Sequence, residues 1–143
     1  GDHRDLHSFP TRRSSDLKGK LVLKGVLDAE DAVLAADAGA DAIQVSSHGG
    51  RQLDGAPAPL DVLPSIRAAV PAGFPIALDG GVRSGEDILK ALDAGADFVF
   101  VGRPFLYAVA AYGPEGPLAL FQMLAGELEA AMAMTGRRGL SRT

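Results

Sequence analysis

The chain has 143 residues, of which 47% are apolar and 22% are charged, a composition typical of one globular domain. A net charge of −4 gives no general attraction to nucleic acid or to anionic membranes. No apolar run approaches the roughly 20 residues of a membrane-spanning helix, and the absence of cysteine excludes disulfides and thiolate metal sites. We therefore expect a cytoplasmic protein without a nucleic-acid partner, a membrane segment or a bound metal.

The first segment, residues 1–17, is polar, is rich in Arg, Ser and Asp, and shows no hydrophobic periodicity. Its sequence matches an in-frame translation of a common sequencing adapter, so we expect it to be disordered and foreign to the native protein. The alternative is a disordered basic leader. The adapter interpretation leaves His48 as the only native histidine and predicts a gene truncated on its 5′ side, so that an N-terminal half is missing.

From residue 18 onward, short apolar runs alternate with helical patterns. The predicted strands cover residues 21–24, 42–46, 75–79 and 98–101. The predicted helices cover residues 28–38, 60–70, 85–94, 104–111 and 118–134. Asp28 and Ser84 are suited to cap two of these helices at the N-terminus. Strict alternation of strands and helices predicts a parallel sheet covered by helices.

An internal repeat supports this organisation. The five residues from Asp37 to Asp41 recur 56 positions later, from Asp93 to Asp97. This spacing corresponds to two strand-loop-helix units of about 28 residues each. Four units predict the C-terminal half of a (β/α)8 barrel, strands 5–8, over residues 18–143. A flavodoxin-like open sheet is the alternative, and a full barrel of about 250 residues is beyond this chain alone.

Polar clusters follow the predicted strands at their carboxyl ends, where barrels of this type carry their active sites. Lys24 ends the first strand as either a surface lysine or a charge in the barrel mouth. Ser46, His48 and Arg51 follow the second strand. A histidine beside a guanidinium suits proton abstraction from an anionic acid, although a lone histidine is more often structural.

The third and fourth strands are followed by glycines and arginines that predict a phosphate site. Gly80 and Gly81, which follow Asp79, let the backbone approach a ligand closely, and Gly102 opens onto a helix N-terminus. Arg83 and Arg103 add guanidinium groups suited to phosphate. The alternative is a set of turn glycines and surface arginines.

The segment SSHGGRQLDG, residues 46–55, closely resembles the hallmark of the FMN-dependent 2-hydroxy acid oxidases and dehydrogenases. The segments LVLKGV, LDGGVRSGEDILKALDAGADFVFVGRP and LEAAMAMTGRRGL resemble the same family, so the resemblance covers essentially all of residues 18–143. It implies FMN as the cofactor and oxidation of a small (S)-2-hydroxy acid to a 2-oxo acid. We also expect the full-length protein to be a homo-oligomer.

The resemblance implies a role for each candidate residue. His48 is expected to take a substrate proton while a hydride or its equivalent reaches the flavin, and Arg51 to bind the substrate carboxylate. Lys24 is expected to stabilise negative charge on the reduced flavin ring. Further flavin, ribityl and phosphate contacts are expected from Ser46, Asp79, Gly80, Gly81, Arg83, Gly102 and Arg103.

Two departures from the family pattern qualify these expectations. Ser47 stands where the family usually has Asn, which bears on the geometry of the loop before His48. The first four strands, which in the family supply flavin contacts, a substrate tyrosine and the aspartate that orients the histidine, are not in this sequence. Strong activity from this chain alone is therefore not expected.

Two other functions stay open at this stage. The first is another FMN-binding or phosphate-binding barrel of the isomerase or nucleotide dehydrogenase type, although HGGRQLD is absent from those families. The second is a non-catalytic half-barrel fragment that binds FMN weakly or not at all. A half-barrel exposes two strand edges and part of its core, so we expect the chain alone to be dimeric or poorly soluble.

Overall fold

The computed structural model describes residues 18–140, so the segment assigned to an adapter lies outside the described residues. Within this part of the chain the strands are β1 (Val22–Val26), β2 (Ala42–Val45), β3 (Ile76–Leu78) and β4 (Phe98–Val99). The helices are α1 (Ala29–Asp37), α2 (Pro59–Ala69), α3 (Gly85–Ala94), α4 (Arg103–Tyr112) and α5 (Gly116–Met134). Short 3-10 turns cover His48–Gly50 and Gly113–Glu115.

The strands form one parallel sheet in the order β1-β2-β3-β4. A flavodoxin-like sheet would place its first strand between its second and third, so the observed order excludes that alternative. Because parallel crossovers are right-handed, a sequential order places the connecting helices on one face of the sheet. The predicted fold class, the C-terminal half of a (β/α)8 barrel, is confirmed.

The hydrophobic core lies between the sheet and these helices. Alternate strand residues, Ile43 and Val45 on β2 and Leu78 on β3, are almost completely buried there together with Leu63 and Ile66 of α2. The opposite face of the sheet, which we call the inner face, carries Val22, Lys24, Gln44, Ala77, Phe98 and Phe100. Part of this inner face is open to solvent, because Phe98 is 59% exposed and Phe100 is 47% exposed.

Helix capping follows the sequence prediction. The Asp28 carboxylate accepts hydrogen bonds from the backbone N–H groups of Glu30 and Asp31 at the start of α1. Ser84 and Asp87 form a reciprocal capping box at the start of α3. Each cap fixes where its helix begins, and both helices begin directly after a loop at the carboxyl end of the sheet.

The repeated Gly-Ala-Asp turns perform the same structural task twice. The Asp41 carboxylate accepts the backbone N–H of Leu21 at 2.7 Å, just before β1. The Asp97 carboxylate accepts the backbone N–H of Ile76 at 2.8 Å, at the start of β3. Each aspartate therefore ties its own strand to the preceding strand at the end of the sheet opposite the polar clusters.

The first and last strands differ from their predicted bounds. β1 extends to Val26 because a register shift between Lys24 and Val26 accommodates Gly25, whose φ is +97°. β4 ends at Val99, although the N–H of Phe100 still bonds the Leu78 carbonyl at 2.8 Å. Within residues 18–140 a membrane-spanning helix is absent, since none combines sufficient length with sufficient apolarity.

Candidate active site

A cleft of about 1350 Å³ opens at the carboxyl ends of the strands, as the barrel prediction requires. Ser46 is completely buried beneath it. The other nine predicted site residues all line this cleft: Lys24, His48, Arg51, Asp79, Gly80, Gly81, Arg83, Gly102 and Arg103. The structure therefore brings together residues from four different strand ends, although their chemical roles stay predictions.

Lys24, Ser46 and Asp79 form a connected polar network at the base of the cleft. The Lys24 ammonium lies 2.9 Å from one oxygen of the Asp79 carboxylate and donates a 2.7 Å hydrogen bond to the Ser46 hydroxyl. The Ser46 hydroxyl lies 2.5 Å from the other oxygen of Asp79. Of the two interpretations of Lys24, the structure supports the charge in the barrel mouth.

Gln44 is a further member of this network that the sequence prediction missed. Its side-chain amide donates to the Asp79 carboxylate at 2.5 Å, on the same oxygen that Lys24 contacts. The signal in the sequence is a polar residue inside an otherwise apolar strand, Ala-Ile-Gln-Val. The register of β1 and β2 places Gln44 directly beside Lys24, so both donors approach Asp79 from the inner face.

His48 lies in the 3-10 turn directly after β2, in a backbone conformation that few non-glycine residues adopt. Its φ is +54°, in the left-handed region, and it is followed by Gly49 and Gly50, which also have positive φ values. The His48 N–H donates to the Ser46 hydroxyl at 3.1 Å, which fixes the turn to the buried network. Arg51 follows, with its N–H bonded to the His48 carbonyl.

Ser47, which stands where the family usually has Asn, makes no side-chain hydrogen bond to the 3-10 turn that follows it. The turn is still formed, because the N–H of Gly50 bonds the Ser47 carbonyl at 3.0 Å. The backbone and the Ser46 hydroxyl are therefore sufficient to shape this loop.

The opposite end of the cleft combines flexible glycines, a helix N-terminus and two guanidinium groups. Gly81 has a φ of +82° and faces open space, so a ligand can approach its backbone. Gly102 caps α4 without a side-chain hydrogen bond, and the helix N-terminus carries partial positive charge. Arg83 and Arg103 are exposed at the same cleft.

The charge distribution of the cleft differs from that of the whole chain. The cleft is lined by four basic side chains, Lys24, Arg51, Arg83 and Arg103, and by one carboxylate, Asp79, although the chain carries a net charge of −4. Such a concentration of positive charge favours anionic ligands. A dianionic phosphate, an anionic reduced flavin ring and a substrate carboxylate all fit these donors, so the residues present are suited to FMN and an acid substrate.

Comparison with known proteins identifies the relatives of this chain. The sequence model of the FMN-dependent dehydrogenase family matches residues 11–143. An L-lactate oxidase of Alicycliphilus denitrificans is 56% identical over 119 residues, which cover 83% of this chain and 33% of that protein. An L-lactate dehydrogenase of Bartonella quintana is 47% identical over 123 residues, which cover 86% of this chain and 32% of that protein.

The fold agrees with the sequence comparison. A crystal structure of a mandelate oxidase matches with a TM-score of 0.86 and 47% identity, covering 94% of this chain and 39% of that one. The chain spans about a third of the length of the lactate-oxidising relatives, which are themselves oxidoreductases. The predicted resemblance and the predicted FMN cofactor are confirmed. The chain belongs to the family of FMN-dependent dehydrogenases.

Proposed function

We propose that residues 18–143 form the C-terminal part of an enzyme that oxidises a small (S)-2-hydroxy acid to the 2-oxo acid with FMN. The observation that carries this proposal is the position of His48 and Arg51, which line the same positively charged cleft as the Lys24–Ser46–Asp79 network. A base, a carboxylate-binding guanidinium and a cation near the cofactor are the groups that such an oxidation requires.

The cleft offers a separate binding region for each end of the cofactor. Gly81, Arg83, Gly102 and Arg103 supply backbone N–H groups and guanidinium groups for the phosphate. We assign the Asp79 carboxylate, which Lys24 and Gln44 contact, to accept hydrogen bonds from ribityl hydroxyls. These assignments divide the cleft into a phosphate-binding end and a reaction end.

At the reaction end, each residue acts on one part of the substrate or cofactor. When bound, FMN supplies the acceptor for the two electrons and one proton that leave the substrate. His48 accepts the second proton on its imidazole, which gives the 2-oxo acid as product. Arg51 binds and orients the substrate carboxylate through a charge-assisted hydrogen bond. Lys24 stabilises negative charge that develops on the cofactor.

The 143-residue chain by itself is proposed to have little activity. Its inner face and its two edge strands, β1 and β4, are not covered within residues 18–140. The imidazole of His48 makes no side-chain hydrogen bond within the same residues, whereas a base is normally oriented by a partner. A cytoplasmic location and a homo-oligomeric full-length protein also stay predictions.

The proposal is tested on the full-length protein that carries this chain. We expect a yellow protein whose visible absorbance bleaches when L-lactate, glycolate or L-mandelate is added without oxygen. Lactamide, which lacks the carboxylate, is the matched control, and we expect no bleaching with it because Arg51 has no anion to bind. A yellow protein that none of the acids bleaches would contradict the hydroxy acid assignment. A colourless protein that does not take up FMN would contradict the cofactor site.

A further inference from the structure

The imidazole of His48 lies against Gly25, a residue on the neighbouring strand. A Cβ placed on Gly25 would overlap the His48 Cε1 atom and would lie 3.2 Å from Nε2 and 3.3 Å from Nδ1. All three atoms belong to one edge of the ring. The ring edge therefore occupies the position that a side chain at Gly25 would need.

The backbone around Gly25 is shaped to allow this contact. The pairing of β1 with β2 shifts its register between Lys24 and Val26, so Gly25 forms an irregularity in the strand. Its φ of +97° is readily adopted by glycine and rarely by other residues. The irregularity lies directly after Lys24, so the same segment presents the ammonium group and the surface that His48 contacts.

His48 combines an unusual backbone conformation with a ring that has no hydrogen bond among residues 18–140. Its backbone φ of +54° is unfavourable for a residue with a side chain, and such conformations persist where the surroundings fix them. The His48 N–H is bonded to Ser46, but the imidazole makes no hydrogen bond within residues 18–140. The contact with Gly25 is therefore one restraint on the ring edge itself.

We infer that Gly25 is a positioning residue for the base His48: its lack of a side chain provides the surface on which the imidazole rests at the cleft. This inference rests on the proposed function, because it assigns a role to Gly25 in the reaction that His48 performs. Gly25 is required in two ways: for its positive φ and for the space that the His48 ring occupies. The two requirements are separable, because other glycines in this chain have a positive φ without such a contact.

The test compares Gly25→Ala with Gly73→Ala in the full-length protein. Gly73 has a similar φ of +80° and lies in the loop before β3, at the opposite end of the sheet. Among residues 18–140, no atom beyond those of its chain neighbours lies within 4 Å of the position that a Cβ would take. We expect Gly25→Ala to lower the rate of anaerobic flavin bleaching by about 100-fold, because small displacements of a catalytic group have effects of this size. Gly73→Ala should leave this rate unchanged. Equal rates in the two variants would overturn the inference.

A double-mutant cycle with His48→Ala provides the second measurement. It stays informative if Gly25→Ala lowers the stability of the protein. With the ring removed, the Cβ of Gly25→Ala has space, so its thermal destabilisation should be smaller in the His48→Ala protein than in the parent. Its effect on the bleaching rate should also disappear. An equal destabilisation in both backgrounds would overturn the inference. If His48→Ala alone does not slow bleaching, the proposed function fails instead.

Discussion

Ser46 organises the carboxyl end of the sheet through one hydroxyl group. A serine hydroxyl has one donor and two acceptor positions, and all three are used. The hydroxyl donates to Asp79 and accepts from the Lys24 ammonium and from the His48 N–H. Because Ser46 is completely buried, none of these contacts has water as a substitute. The positions of the Lys24 ammonium, the Asp79 carboxylate and the His48 loop thus depend on the side chain of Ser46.

Replacement of this hydroxyl should therefore affect several groups at once. We expect Ser46→Ala to destabilise the protein by about 1–3 kcal/mol, because it removes the acceptor of the His48 N–H and the bonds of the buried hydroxyl to Lys24 and Asp79. It should also slow flavin bleaching. Ser65→Ala is the matched control, since the Ser65 hydroxyl donates only to a carbonyl within α2 and is exposed. The measurement is the temperature at which heating releases FMN from the protein, detected by the rise in FMN fluorescence. Equal temperatures for both variants would contradict this role of Ser46.

Gln44 contributes to the same carboxylate from the inner face. Gln44→Glu would place a second carboxylate within hydrogen-bonding distance of Asp79, and the two negative charges would oppose binding of an anionic cofactor. We expect the Kd for FMN to rise about tenfold. Gln52→Glu introduces the same charge into the same cleft, away from the carboxylate of Asp79, so its Kd should stay within about twofold of the parent value. Titration of the apoprotein with FMN, followed by fluorescence quenching, measures both constants.

At the scale of elements, the sheet is divided into a stabilising end and a functional end. Asp41 and Asp97 bond backbone N–H groups of the preceding strand at the amino ends of the strands. The cleft residues follow the carboxyl ends of the same strands. Substitutions at the amino end should therefore lower stability without changing the reaction, whereas substitutions at the carboxyl end should change the reaction.

Asp97→Ala tests the stabilising end. It removes the acceptor for the Ile76 N–H and a 3.3 Å ion pair with Arg67, and we expect a loss of about 1–3 kcal/mol in the free energy of unfolding. The rate at which substrate bleaches the FMN of the folded protein should not change. Asp37→Ala is the control, because Asp37 is exposed at the C-terminal end of α1, where a negative charge is unfavourable. Urea unfolding curves compare the two variants, and an equal midpoint would contradict the role of Asp97.

At the scale of the whole molecule, the dominant feature is the inner face, which residues 18–140 leave uncovered. Phe98, on the edge strand β4, and Phe100, just after it, contact each other with ring centroids 4.9 Å apart and remain largely exposed. Exposed aromatic surface beside an unpaired strand edge favours association between chains. The chain on its own should therefore not behave as a monomer.

Size-exclusion chromatography of the 143-residue chain tests this expectation. We expect elution as a dimer or larger species, and we expect Phe98→Lys to reduce association because it places a charge on the inner face. Leu34→Lys is the matched control, since Leu34 is similarly exposed at 47% but lies on α1, on the helix-covered side. A monomeric peak for the parent chain would contradict the expectation.

Local sequence patterns were sufficient for the order of elements, the capping residues and the cleft residues. The capping by Asp28 and Ser84 and the turn that carries His48 and Arg51 are predictable because they depend on contacts within a few residues in the chain. The sequence marks Gln44 only as a polar residue in an apolar strand. Its bond to Asp79 depends on the register between strands, and the contact of Gly25 with His48 depends on the pairing of β1 with β2. The two interpretations of Lys24 also needed the structure, because its ion pair with Asp79 joins residues that are distant in the sequence.

His48 is proposed to accept the substrate proton in a flavin-dependent oxidation. The most direct test is the rate of anaerobic flavin bleaching by the best acid substrate, in the full-length protein and in His48→Ala, with the FMN content of both determined from their visible spectra. We predict a rate lower by about 10²–10⁴-fold at equal FMN content, which is the usual contribution of a general base. An unchanged rate in His48→Ala would contradict the claim.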